Sequence, residues 1–154
     1  MRARYPEVAA RWQIALHAIS LVCSLFTIGV LAYCTVQFKQ NLVLTYLVTC
    51  CATLWNIYEL VALSGHRQRF WRLYALLVGL VESFIFLMCI VSVGSVLLAV
   101  PISVNGKMDS PDVKFSEFFV VENWRNIVVG LQAGIGLSHL LLSVFAWDDS
   151  ARNK

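Results

Sequence analysis

The chain has 154 residues, of which 59% are hydrophobic and 14% charged, for a net charge of +3. Its mean hydropathy of +0.72 lies far to the apolar side of water-soluble domains and excludes an ordinary soluble fold. So small a charge gives no basis for a nucleic-acid partner, and the longest piece outside the apolar stretches, residues 101–125, is too short for a separate soluble catalytic domain.

Four apolar stretches, 13–36, 41–64, 73–100 and 126–147, each exceed the ~20 residues that cross a bilayer as a helix. Hydrocarbon offers no partner for backbone N–H and C=O groups, so each stretch is expected to be an α-helix that satisfies them internally. The first follows Arg2, Arg4 and Arg11 and is longer than the apolar run of a secretory signal, which reads as a retained helix. The joints at 37–40 and 65–72 are short enough to force neighbouring helices antiparallel. The expected fold class is therefore all-α: an integral membrane four-helix up-down-up-down bundle, with residues 1–154 as a single domain. The third connection, 101–125, opens at Pro101, turns at Asn105-Gly106 and reaches Asp109-Ser110-Pro111-Asp112, a suitable start for a short helix through Phe118 and Phe119. That piece either lies flat at the interface or extends the fourth helix outward.

Charge sets the orientation. Arg2, Arg4, Arg11, Arg67, Arg69, Arg72, Arg152 and Lys154 fall on one side of such a bundle. Lys39, Lys107, Lys114 and Arg125 fall on the other, where Asp109, Asp112, Glu117 and Glu122 accompany them. The excess of positive residues places both termini in the cytosol and the 101–125 loop outside or in a lumen. Trp12, Phe70, Trp71, Tyr74 and Trp147 cluster at the expected inner boundary, with Tyr33, Phe38 and Trp124 at the outer one, where amphipathic rings belong. Arg67, Arg69 and Arg72, beside His66, read as a topology signal or as a contact for anionic lipid headgroups. Cys23, Cys34, Cys50, Cys51 and Cys89 all fall within apolar stretches, which excludes a disulfide-braced outer loop and suggests small apolar filler. The lack of a C-x-x-C pair also counts against membrane thiol oxidoreductases.

Polar residues in the four stretches recur at 3- and 4-residue spacing, on one face of each helix. The stripes are Gln13, His17, Ser20, Ser24, Thr27 and Cys34; Thr45, Thr49, Ala52, Asn56 and Glu59; Ala75, Gly79, Glu82, Phe86 and Cys89; and Gln132, Gly136, His139 and Ser143. Lipid tails cannot hydrogen-bond, so these faces are expected to point at one another, with Leu, Val, Ile and Phe toward lipid. A second face of the last helix carries Gly130, Gly134 and Ser138. Its spacing suits close packing within the bundle or between protomers.

Counted from the cytosolic ends, His17, Glu59, Glu82 and His139 lie at similar depth, one on each helix. Together with Asn56 and Gln132 they form the expected intramembrane polar network. Glu82 stands out, because it lies ten residues past Arg72, about 15 Å along a helix, where a carboxylate costs several kcal/mol unless paired or protonated. The network fixes the register of the bundle, or it serves chemistry, with Glu82 as general acid/base beside His139 or His17 on a hydrophobic substrate. Proton or ion movement is disfavoured, since the outer half offers only hydroxyls and Gln132. A metal site is not expected, because no Glu-x-x-His spacing occurs, and no cofactor is implied.

The entry Arg11-Trp12-Gln13-Ile14-Ala15-Leu16-His17, the short first turn, the run Phe70-Trp71-Arg72-Leu73-Tyr74-Ala75-Leu76 followed by Glu82, and a longer outward loop before a glycine-containing last helix together resemble the MARVEL-domain family of four-span membrane proteins, particularly the small fungal members. The resemblance covers nearly the whole chain and implies membrane apposition, lipid-domain organisation or cargo trafficking, without catalytic residues. The expected function is thus a non-catalytic organiser whose partners are membrane lipids and other membrane proteins, a second copy among them. The alternative is a small membrane-embedded enzyme or accessory factor for a lipid or hydrophobic secondary metabolite, using Glu82, His139 and His17.

Overall fold

The three prolines of the chain, Pro6, Pro101 and Pro111, all lie outside the apolar stretches, so nothing within those stretches removes a helical N–H or forces a break. The computed structural model describes residues 7–38, 42–64, 75–98 and 115–152. They form four helices, α1 (Glu7–Phe38), α2 (Val43–Ser64), α3 (Ala75–Leu98) and α4 (Phe115–Arg152). Each contains a span long and apolar enough to cross a membrane: Arg11–Val36, Val43–Leu63, Leu76–Leu98 and Asn123–Asp148. The expected turn at Asn105-Gly106, the basic loop with Arg67, Arg69 and Arg72, and the arginines at positions 2 and 4 lie outside the described residues.

Of the two expectations for the piece before the fourth stretch, the structure bears out the outward extension of the helix. Residues 115–125, assigned above to the outward loop, are helical and run without interruption into the fourth span. Between Phe115 and Arg125 there is neither Pro nor Gly, so a helix started after Pro111 meets no breaker. At ~1.5 Å per residue, the 38 residues of α4 extend about 57 Å, well beyond a hydrocarbon core of ~30 Å.

Each helix packs on two neighbours, α1 on α2 and α4, and α3 on α4 and α2. Along α1 and α2 the contacts run in opposite directions: Thr35 meets Tyr46, whereas Ser20 meets Asn56. The α3–α4 interface is the most extensive and the α2–α3 interface the least. Residue size explains this difference. A Cβ added at Gly136 would stand 3.2 Å from Cys89 Cβ, and one at Gly79 would stand 3.4 Å from the Trp147 indole, so both glycines admit close approach of α3 and α4. Gly130 and Gly134, by contrast, have open space where a Cβ would be. Within the chain, then, the close-packing role falls to Gly79 and Gly136, while Ser138 is buried and donates to the Gly134 carbonyl at 3.0 Å.

The burial pattern inverts that of a water-soluble protein. Gln13, His17, Ser20, Ser24, Thr27, Thr45, Thr49, Asn56, Glu59, Glu82, Gln132 and His139 are buried. Val22, Phe26, Val36, Leu54, Phe84 and Val144 are exposed, Val36 at 76%. An apolar surface this continuous is unsuited to water and suited to lipid. Several buried hydroxyls satisfy themselves on their own helix, as Ser24 does on the Ser20 carbonyl at 2.8 Å and Thr53 on Thr49 at 2.7 Å, the usual recourse of Ser and Thr in mid-helix. Cys34 and Cys89 are buried as expected, but Cys50 and Cys51 are exposed on the apolar surface. Neighbouring residues on a helix point about 100° apart, and this pair falls to either side of the next interior position, Ala52, and its predecessor Thr49.

Replacing Gly136 by Leu is expected to lower the stability of the bundle by about 1–3 kcal/mol through overpacking, read as a lower unfolding midpoint in detergent. Gly130→Ala should leave the midpoint unchanged or slightly raised, since there an added Cβ meets nothing within 4 Å and improves helix propensity.

Candidate functional site

The four polar stripes converge in one half of the bundle. From α1 come His17 and Ser20, from α2 Trp55 and Asn56, from α3 Glu82 and from α4 His139. His17, Ser20, Asn56, Glu82 and His139 are all buried, Glu82 and His139 completely.

Their hydrogen bonds form a single connected path. His17 Nδ1 lies 2.8 Å from Asn56 Oδ1, and the Asn56 amide donates to Ser20 Oγ at 2.9 Å. Ser20 Oγ is 3.3 Å from His139 Nε2, and His139 Nδ1 bonds Glu82 Oε2. Trp55 Nε1 donates to the other oxygen, Glu82 Oε1, at 2.6 Å. That oxygen is also 3.9 Å from His17 Nε2, which brings the path back to its start.

One arrangement of protons satisfies every bond. His17 Nδ1–H donates to Asn56, Asn56 N–H to Ser20, Ser20 O–H to His139 Nε2, and His139 Nδ1–H to Glu82. Donors thus run in one direction and end, with the Trp55 indole, on the carboxyl group. Such aligned chains strengthen one another in a low-dielectric interior.

Of the six residues expected in the network, His17, Asn56, Glu82 and His139 are brought together. Gln132 sits in a second polar layer about 10 Å along α4 from His139 at 1.5 Å per residue, where its amide donates to Thr49 Oγ1 at 2.6 Å. Ser92 donates to Thr45 Oγ1 at 3.0 Å in the same region. Glu59 is buried three residues beyond Asn56, on the same face of α2. Past the second layer the interior turns apolar, with Val30, Leu31, Cys34, Val96 and Val128 packed together. Tyr33 and Trp124 meet at that end, with ring centroids 5.0 Å apart. Among the described residues, no group of His, Cys, Asp and Glu has the arrangement of a metal site.

Trp55 is the participant absent from the stripes. It lies about 100° around α2 from Asn56, at the edge of the polar face. The available signal was its depth: an indole in mid-span, far from either aromatic belt, needs an acceptor for its N–H. Its other face lines a cleft of ≈ 720 Å³ between α2 and α3, on the side where these two helices pack least.

No family model matches the chain, and no curated protein or solved structure matches it either.

Removing the carboxyl group should expose the weight of the ring. Glu82→Gln retains one acceptor but turns an NH₂ toward a donor, costing about 1–2 kcal/mol at membrane hydrogen-bond strengths. Glu82→Leu strands both Trp55 and His139 and should cost more, with part of the loss recovered when His139→Leu is added. Unfolding midpoints in detergent check the order, and a Glu82→Leu protein as stable as the native one would show that the ring bears no load.

Proposed function

We propose that this chain is a multi-pass membrane protein whose four helices cross the bilayer in alternating directions, with both termini in the cytosol. In this reading it organises membrane domains or membrane-protein traffic through helix–helix and helix–lipid contacts, as kinship with the MARVEL-domain family would imply. The observation that carries it is the engagement of Glu82. Its two oxygens are taken by Trp55 and His139 and its side chain has no exposed surface, which suits a group that holds helices together better than one that meets a substrate. The lipid-ready exterior and the excess of arginine on one side support membrane placement and its orientation. The apolar packing of Val30, Leu31, Val96 and Val128 argues against a continuous polar pathway and hence against ion movement. Partners in this reading are bilayer lipids and other membrane proteins. The open Gly130–Gly134 face of α4 would be available to another helix, a second copy included, and Arg67, Arg69 and Arg72 would contact inner-leaflet headgroups.

One observation favours the enzymatic alternative. Trp55 both lines the α2–α3 cleft and binds Glu82, so a hydrophobic molecule in the cleft would be separated from the acid by a single side chain. A rotation of the indole would join them.

Cells with the native protein, no protein, or Glu82→Gln at matched abundance distinguish the readings. The organiser predicts an unchanged lipid and metabolite profile, with altered distribution of other membrane proteins in the null cells alone. Accumulation of one precursor in both altered lines would overturn it and put Glu82 at a reaction. For orientation, a glycosylation sequon introduced near Asn105 should be modified and one near His66 should not.

A further inference from the structure

The cleft between α2 and α3 has bulky side chains on both banks. Leu47, Trp55 and Tyr58 stand on one and Phe84, Ile85 and Met88 on the other. No glycine on either bank plays the part that Gly79 and Gly136 play between α3 and α4, so the two backbones are held apart and a space of ≈ 720 Å³ remains. That volume is within the roughly 300–1,000 Å³ range of small-molecule sites.

What fills it follows from its walls. Left empty, it would strip the lining side chains of dispersion contacts along its whole length. Water is a poor occupant, because a buried water needs two to four polar partners and these walls are almost entirely carbon, with the Trp55 N–H committed to Glu82. The space is partly open to the exterior, so its occupant need only present a carbon surface along these walls. A single hydrocarbon chain is thin enough, carries no polar group, and is the solvent of this surface.

We infer that the α2–α3 cleft is a binding site for one acyl chain of a bilayer lipid, which completes the packing of the bundle on its weakest side. The inference rests on the membrane placement proposed above and specifies the lipid contact of that reading. The cleft occupies residues 47–58 of a span running Val43–Leu63, so it is centred at mid-membrane, away from headgroups. Recognition is therefore of the hydrocarbon alone.

The test uses the full chain in lipid vesicles containing a phosphatidylcholine or phosphatidylglycerol with a photoreactive diazirine near the middle of one acyl chain, with labelled residues mapped by mass spectrometry. The expected result is several-fold enrichment of label within 47–58 and 81–88 over the equally apolar, exposed Val22 and Phe26 face of α1, alike for both headgroups. Val81→Phe, which fills the cleft, should remove the enrichment; should that variant fail to fold, the native profile still decides. Label distributed in proportion to exposure over all four helices would overturn the cleft site while leaving membrane placement intact. So would enrichment with one headgroup only, or cross-links between two copies through the cleft. A chain that takes no label from either lipid would overturn both.

Discussion

A carboxyl group in hydrocarbon can be stable only if its oxygens have donors and its charge, if any, has a counterpart. Glu82 meets this requirement through three helices other than its own. Trp55 on α2 and His139 on α4 supply donors, His17 on α1 stands within 3.9 Å, and Ser20 and Asn56 hold the two imidazoles in place. Much of the remaining architecture is arranged to permit this meeting. The glycines at 79 and 136 bring α3 close to α4, which sets Glu82 against His139, and α1 lies where its polar stripe can join both neighbours.

In the membrane placement proposed above, the forces differ from those of a soluble core: burying apolar area gives no net gain when the outside is also apolar, so association depends on packing and on polar bonds unavailable from lipid. The interior accordingly concentrates hydrogen-bonding side chains in two layers and finishes with an apolar plug of Val30, Leu31, Cys34, Val96 and Val128. The layers are unequal. Around Glu82 the donors and acceptors form a connected path whose ends lie 3.9 Å apart, whereas among the described residues Gln132 Oε1 in the second layer is buried without a hydrogen-bond partner. The second layer thus leaves one acceptor unused.

Helix identity and the inward faces were legible in the sequence, because both rest on periodicity. His17, Glu82 and His139 could be grouped by counting turns from the helix ends, since depth is linear in residue number, but the same count chose Glu59 on α2, where the structure brings Asn56, one turn away, to His17 and Ser20. What periodicity could not supply was the rotation of one helix against another. That rotation decides that Gly136 rather than Gly130 meets α3, and that Trp55, one position off the polar stripe of α2, turns its indole to Glu82. The wide α2–α3 spacing was hidden for the same reason, as it results from which large side chains oppose each other. The continuation of α4 back to Phe115 was legible only in part: the absence of Pro and Gly permits it, but Glu117, Glu122 and Arg125 interrupt the apolar run that marks the span.

The ring also imposes an order of events on the making of the protein. His17, Ser20, Asn56 and Trp55 are synthesised before Glu82, but His139, the acid's principal partner, belongs to the last of the four helices. Until α4 is made, Glu82 lacks its bond to His139 and has only the donor from Trp55 and the nearby His17. A chain cut short before His139 would leave one Glu82 oxygen without that donor, so the residue that secures the finished bundle also distinguishes it from an incomplete one.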